Sequence, residues 1–223
     1  MSKLRVMKDS GVTWIGDVPS EWDIVKIKHP LKERKENNKP KRTDSILSLT
    51  KDRGVIPYSE KGDIGNKSKE NLEDYKLAYP DDIVLNSMNV IIGSVGLSKY
   101  FGAVSPVYYM LYKRFISDDI RYFNYLFQTE QFQKFLVGYG NGILAHRMRI
   151  QMQKLNTVMI PYPNHMIQHV IVSYLDQYLL VIDKIIHKTK ESLEEYKKYK
   201  EVLITETVTK GLNPNVNMKD SGV

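Results

Sequence analysis

Met166–Thr209 reads MIQHVIVSYLDQYLLVIDKIIHKTKESLEEYKKYKEVLITETVT. The stretch holds neither proline nor glycine, the residues that most readily interrupt a helix. With Ile171 on a heptad seam, Leu175, Tyr178, Ile182, Ile185, Thr189, Ser192, Tyr196, Tyr199 and Leu203 follow on alternating seam positions. Thr189 and Ser192 make the middle of that seam polar, while Val181, Ile186, Leu193 and Val202 widen the apolar stripe. The remaining faces carry mixed charge. The pattern predicts one long amphipathic helix, about 60 Å long for about 40 residues. Such a rod exceeds the width expected of the preceding domain. A second long helix is the economical cover for its stripe; packing on its own domain is the simpler alternative. Gly211 and Pro214 end the helix, and MKDSGV (Met218–Val223) then repeats Met7–Val12. Six identical residues in order suggest a handle for partners or the opening of a further unit in a tandem array.

Upstream, the texture changes twice. Residues 1 to about 43 are polar and turn-rich, with Trp14 and Trp22 around Pro19, a short strand at Ile24, Val25 and Ile27, and KERKENNKPKR (Lys32–Arg42) as a solvated basic loop. From about Asp44 to Pro163 the pattern predicts a globular α+β domain. Ser45–Thr50 and Ile83–Leu85 are strands, NVIIGSVGLSKYFGAVSPVYYMLYK reads as two strands broken by glycines, and Val107–Tyr112 suits a buried strand. SDDIRYFNYLFQTEQFQKFLVGYG reads as one helix capped by Ser117 or Asp118 and stopped by Gly138 and Gly140. LNTVMIPYPN is a final strand closed by Pro161 and Pro163. The expected organisation is a globular domain over 1–165, a long pairing helix over 166–210 and a tail over 211–223.

Composition narrows the function. The 223 residues are 42% hydrophobic, contain no cysteine and carry a formal net charge of +7. A core is affordable, disulfides and thiolate chemistry are excluded, and a polyanion is a natural partner. The apolar runs are short and interrupted by charge, which predicts no transmembrane helix. MSKLRVMKDSG lacks an apolar signal region, so no signal peptide is expected and the cytoplasm is the expected compartment.

No catalytic constellation stands out. There is no glycine-rich nucleotide loop, no Walker motif and no Asn-Pro-Pro-aromatic motif; NPN (Asn213–Asn215) lacks the second proline and the aromatic. His165 and His169 stand four apart without a third ligand, so no metal site is expected. Asp81 and Asp82 read as turn residues entering a strand.

One feature favours DNA. From Gln131 to Leu175 there is no Asp or Glu, whereas Lys134, Arg147, Arg149 and Lys154 are present. The loop GYGNGILAHRMRIQMQK supplies Tyr139, Asn141, His146, Arg147 and Arg149 as candidate contacts. Asparagine can pair with adenine and arginine with guanine. Two further loops offer Lys51 and Arg53, and Asn86, Ser87, Asn89, Lys99 and Tyr100. Plain turn chemistry accounts for either of these two further loops about as well.

These segments resemble the specificity subunits of type I restriction-modification systems. The resemblance lies in MKDSGVTWIGDVPSEWDIVKIK, LSLTKDRGVIP, YKLAYPDDIVLNSM, GSVGLSKYFGAVSPVYY, LNTVMIPYPN, SYLDQYLLVIDKII and LITETVTKGLNPNVNMKDSGV, which span nearly the whole chain. One departure is YPNHMIQ, where family members often carry PPLEEQ; Gln168 matches the final glutamine.

The resemblance implies a non-catalytic target-recognition domain followed by a spacer helix that pairs antiparallel with another. It implies modification subunits that supply S-adenosylmethionine and methylate adenine, and a restriction subunit that uses ATP and magnesium. The chain itself is expected to bind no cofactor. It corresponds to half of the usual two-domain protein, which accounts for the recurrence of MKDSGV. Two copies paired through Ile171, Leu175, Tyr178, Ile182, Ile185, Tyr196, Tyr199 and Leu203 would read a palindromic, interrupted site. About 60 Å of helix against 3.4 Å per base pair places both half-sites within roughly 18 base pairs. The alternatives are a coiled-coil adaptor indifferent to DNA, and an enzyme with diluted motifs.

Overall fold

A computed structural model describes residues 6–62, 71–88, 94–140, 149–213, 215 and 217. It comprises two compact units, residues 1–172 and 173–223. The strands run in the order β1 (Met7–Asp9), β2 (Asp17–Pro19), β3 (Asp23–Lys26), β4 (Leu31–Arg34), β5 (Leu47–Thr50) and β6 (Gly54–Pro57). There follow β7 (Lys76–Ala78), β8 (Ile83–Asn86), β9 (Val95–Leu97), β10 (Gly102–Val104) and β11 (Tyr108–Lys113). Helices α1 (Ile120–Gln128), α2 (Glu130–Val137) and α3 (Met152–Leu155) precede β12 (Met159–Tyr162) and α4 (His165–Lys210).

The first unit is built on a four-stranded antiparallel sheet, ordered β4–β11–β8–β9. Strand β8 contributes Ile83, Val84 and Leu85, three consecutive buried residues. Alternation along a strand sends them to opposite faces. Ile83 and Leu85 join Leu111 of β11 in a core with Phe123, Phe127, Phe132 and Leu136 from α1 and α2. Val84 joins Met110 in a second core with Leu47, Leu49 and Val55 from the β5–β6 hairpin. Because both faces of the sheet are covered, its central strands read as unbroken apolar runs. Trp14, in the polar opening segment, lies edge-on to Phe132 at 5.1 Å and donates its indole N–H to Met159 O at 3.3 Å. That bond ties the opening segment to β12, which itself pairs with β3.

Three sequence expectations need correction. Lys32–Arg42 is a solvated loop only beyond Arg34. Its first residues lie in β4, paired with β11. One of its cations is neutralised in place: Arg34 makes a bidentate bond to buried Asp82, at 2.7 and 3.1 Å, and lies over the Tyr79 and Tyr112 rings. Asn38, fully buried, then shapes the turn, accepting the N–H groups of Arg42 and Thr43 and donating to Thr43 O and Leu72 O. Counting charges could not distinguish a paired arginine from a solvated one.

Second, the glycines of the 94–113 region sit inside strands instead of breaking them, and three strands result where two were expected: β9, β10 and β11. A Cβ on Gly96 would lie 2.9 Å from Gly54 Cα, and one on Gly102 would lie 2.7 Å from Leu47 Cγ. Both positions are places where chain segments touch.

Third, the single helix is two. Asp119, not Ser117 or Asp118, caps α1 by accepting Arg121 N–H. Thr129 ends α1 and caps α2. The break lets Phe127 and Phe132 stack with centroids 4.9 Å apart and planes 4° from parallel.

Helix α4 begins within the first unit. Asn164 accepts Ile167 N–H at 3.0 Å at its start. Gln168 and Val172 are fully buried, and Ile171 packs on the core. From Ser173 onward the second unit is one continuous helix to Lys210, then the short stretch beyond Gly211. The seam residues Tyr178, Ile182, Ile185, Tyr196, Tyr199 and Leu203 are all exposed, from 47% to 71%. Leu175 is half-buried. The architecture is thus the expected mixed, strand-rich domain and a long C-terminal helix. The repeated MKDSGV at 218–223 lies outside the described residues.

Candidate nucleic-acid interface

The turn between β5 and β6 is fixed by its own side chains. Thr50 Oγ1 accepts Arg53 N–H at 3.2 Å and donates to Gly54 O at 3.2 Å. Gly54 takes φ +65°, which an L side chain rarely adopts. The hairpin end then lies backbone-to-backbone on Gly96 of β9. On the other side of β9, Ser98 Oγ donates to Tyr100 O and accepts Tyr100 N–H, a local turn that carries exposed Lys99 and Tyr100.

These contacts bring Lys99 together with Lys51 and Arg53, which lie far earlier in the sequence, around one open cleft of about 520 Å³. Asp52, Asn124, Gln128 and Gln133 also line it. Arg53 is paired with Glu60 and donates to Glu60 O as well, so Lys51 and Lys99 contribute most of the positive character. An open concavity with exposed cations attracts a polyanion.

The remaining predicted residues fall elsewhere. Asn86, half-buried, accepts Met88 N–H on its Oδ1. Ser87 is fully buried and donates to Val107 O at 2.6 Å, so its hydroxyl serves the core. Arg149 is exposed beside Ile150, whose N–H bonds Ser87 O at 3.0 Å. It lies close enough to Lys76 to reinforce burial in holding that ammonium below its usual value. Lys76 donates to Tyr108 O at 2.8 Å, and Tyr108 stands opposite Asn86 in the β8–β11 pair. Tyr139 is half-buried against Phe135, with ring centroids 5.2 Å apart. Asn89, Asn141, His146 and Arg147 lie outside the described residues.

A family profile described as the type I restriction modification DNA specificity domain matches residues 19–195. The chain belongs to this specificity-domain family. Solved structures carry the same fold. One was determined in a study of complex assembly and conformational transition of the type I R-M system; it is 17% identical, with a TM-score of 0.63, covering 89% of this chain and 48% of that one. Another is the HsdS subunit from Thermoanaerobacter tengcongensis, 18% identical, with a TM-score of 0.54, covering 89% and 47%. The chain spans about half the length of these structures. Among curated proteins none matches.

The family is one of DNA specificity, not of a catalytic domain. Of the two acids of the Pro80–Asp82 turn, Asp82 is bound to Arg34 and accepts Tyr79 N–H, and burial lifts its carboxyl above the usual range. Asp81 takes φ +66° in the turn that enters β8. Among the described residues no group of His, Asp and Glu is arranged to hold a metal ion. His169, weighed above as a ligand, instead bonds Asp119 through Nδ1 at 2.8 Å. Among the described residues no helix is long and apolar enough to cross a membrane.

Sequence reading overlooked Asn124, Gln128 and Gln133. The region was read only for its apolar face, yet Asn124 and Gln128 are spaced i, i+4 along the flank of that face. That spacing was the available signal. What they face depends on the β5–β6 turn, more than 70 positions earlier.

Proposed function

We propose that this chain reads one half of a bipartite site in double-stranded DNA, as the recognition subunit of a type I restriction-modification complex. The observation that carries the reading is the cleft that gathers Lys51, Arg53 and Lys99 beside three carboxamides. Cations hold phosphates, and carboxamides have the donor–acceptor pairing of base edges. The net charge of +7 acts in the same direction.

Two copies pair antiparallel through α4 and so present two readers to one duplex. In support, Tyr178, Ile182, Ile185, Tyr196, Tyr199 and Leu203 expose an apolar seam over a helix of roughly 57 Å from Ser173 to Lys210. Catalysis belongs to partners. Modification subunits bring S-adenosylmethionine, a restriction subunit brings ATP and magnesium, and this chain binds none of these. Its organisation in domains is the globular reader to about residue 165, the pairing helix over 166–210 and the tail. It works in the cytoplasm.

Gel shifts with the full chain and its modification subunits, against random duplexes and duplexes selected for binding, test the reading. A preference for a split sequence is expected. Binding without sequence preference, or none, would leave a coiled-coil adaptor instead.

A further inference from the structure

Asn124 and Gln128 lie one helical turn apart on α1, and Gln133 joins them from α2 to line the same cleft as Lys51, Arg53 and Lys99. Gln128 is exposed, whereas Asn124 and Gln133 are half-buried. Gln133 is held by its Nε2 bond to Phe127 O at 3.2 Å. Asn124 Oδ1 is shielded from solvent and has no hydrogen-bond partner among the described residues. A buried acceptor without a donor is unstable relative to one that has a donor, so this side chain gains from turning its carboxamide into the open cleft, where a ligand can supply one.

The chemistry of the lining separates two uses of the cleft. A phosphate track wants cations alone, and Asp52 stands among the lining residues. A base edge wants donors and acceptors side by side, and a carboxamide presents both, matching N6 and N7 of adenine in the major groove. We propose that this cleft is the base-reading part of the interface. Gln128, supported by Asn124 and Gln133, determines specificity for a base pair containing adenine, while Lys51 and Lys99 hold the flanking phosphates. The assignment rests on the DNA-reading function proposed above.

The test is selection from a duplex library randomised over the half-site, using the full chain with its modification subunits, followed by competition binding. Gln128→Ala is expected to lose about 5- to 150-fold in affinity for the preferred duplex, the range set by one bidentate pair. Its selection should relax at one base pair, and its binding to random duplex should not change. Gln128→Glu offers only acceptors, so selection at that same position should move toward cytosine. The double variant Lys51→Ala, Lys99→Ala is expected to weaken preferred and random duplexes alike and to reduce the salt slope by about 2. Gln128 is solvent-exposed, and unfolding temperatures of the same preparations establish that the variants fold. Selection retained at every position by both Gln128 variants would overturn this assignment alone. A wild-type complex without any preference would overturn the assignment together with the reading beneath it.

Discussion

Gln168 accepts the backbone N–H of Asp119 on its Oε1 at 3.0 Å, across 49 positions of sequence. Its Nε2 donates to Pro163 O at 3.0 Å and to Asp118 Oδ1 at 3.3 Å. One fully buried carboxamide therefore joins the start of α4 to the start of α1 and the end of β12. Around it, Tyr162 OH bonds Asp118, and burial together with that carboxylate pushes the Tyr162 phenol up to about 12. The residue that matched only the last letter of a family motif thus fastens the first turn of α4 within the first unit.

Replacing this group should be costly. Gln168→Ala leaves Asp119 N–H and Pro163 O without a partner and opens a cavity beside Val172, a loss of about 2–4 kcal/mol. At about 2–4 °C per kcal/mol for a domain of this size, thermal unfolding should fall by roughly 5–15 °C. An unchanged unfolding temperature would show that the three bonds are dispensable.

The same fastening fixes where the chain can be cut. A chain ending at Ser173 keeps Gln168, Ile171 and Val172 and should unfold cooperatively. A chain ending at Pro163 loses all three and should be less stable by at least ~5 kcal/mol. Urea titration of the two fragments distinguishes them, and equal midpoints would contradict the argument.

Asp119 makes stability depend on acid. Burial raises its carboxyl, but bonds from the Arg121 side chain and backbone, and from His169, outweigh burial and hold it below the usual carboxylate range. The folded value therefore lies under the unfolded one of about 3.9. Its contribution is complete above the unfolded value and is lost as pH falls through the folded one. Denaturant unfolding should weaken below about pH 4 in the wild type. The dependence should be shallower in Asp119→Asn, and identical slopes would remove Asp119 as the cause.

Gly96 tests how the cleft is assembled. A Cβ there would lie 2.9 Å from Gly54 Cα and 3.2 Å from Val55 N, both backbone atoms with little room to move. Gly96→Ala should lower stability by about 1–3 kcal/mol and separate Lys51 from Lys99, weakening DNA binding even where the variant remains folded. Binding equal to wild type at a temperature where both are folded would mean that the hairpin is not needed at that position.

The seam of α4 is open to a direct test. Ile182→Asp with Ile185→Asp places two charges on the exposed apolar stripe without touching Gln168 or Val172. Sedimentation at micromolar concentration should show a dimer for the wild type and a monomer for the variant. A wild-type monomer, alone and with modification subunits, would rule out self-pairing.

Much of this was legible in the sequence because the signal is local. The long helix follows from a proline-free, glycine-free stretch with a heptad stripe, and Ile83–Leu85 follows from an apolar run bounded by turn residues. Where local signals misled, tertiary contacts had reassigned the residues. Arg34 reads as a solvated charge until Asp82 and two aromatic rings are placed around it. Gly96 and Gly102 read as strand breakers until the segments they touch are known. Thr129 reads as helix interior until the stacking of Phe127 on Phe132 requires two helices.

The candidate site shows the same division. Sequence alone established the cation-rich loops, because residue type and charge need no neighbours to be read. The helix also declared itself from one strand of text, since its period is a property of successive residues. Only the tertiary structure decided that Lys51, Arg53 and Lys99 share a cleft with Asn124, Gln128 and Gln133, and that Ser87 faces inward. Those outcomes depend on which distant backbones touch, and a contact such as Gly54 on Gly96 leaves no periodic trace in the chain.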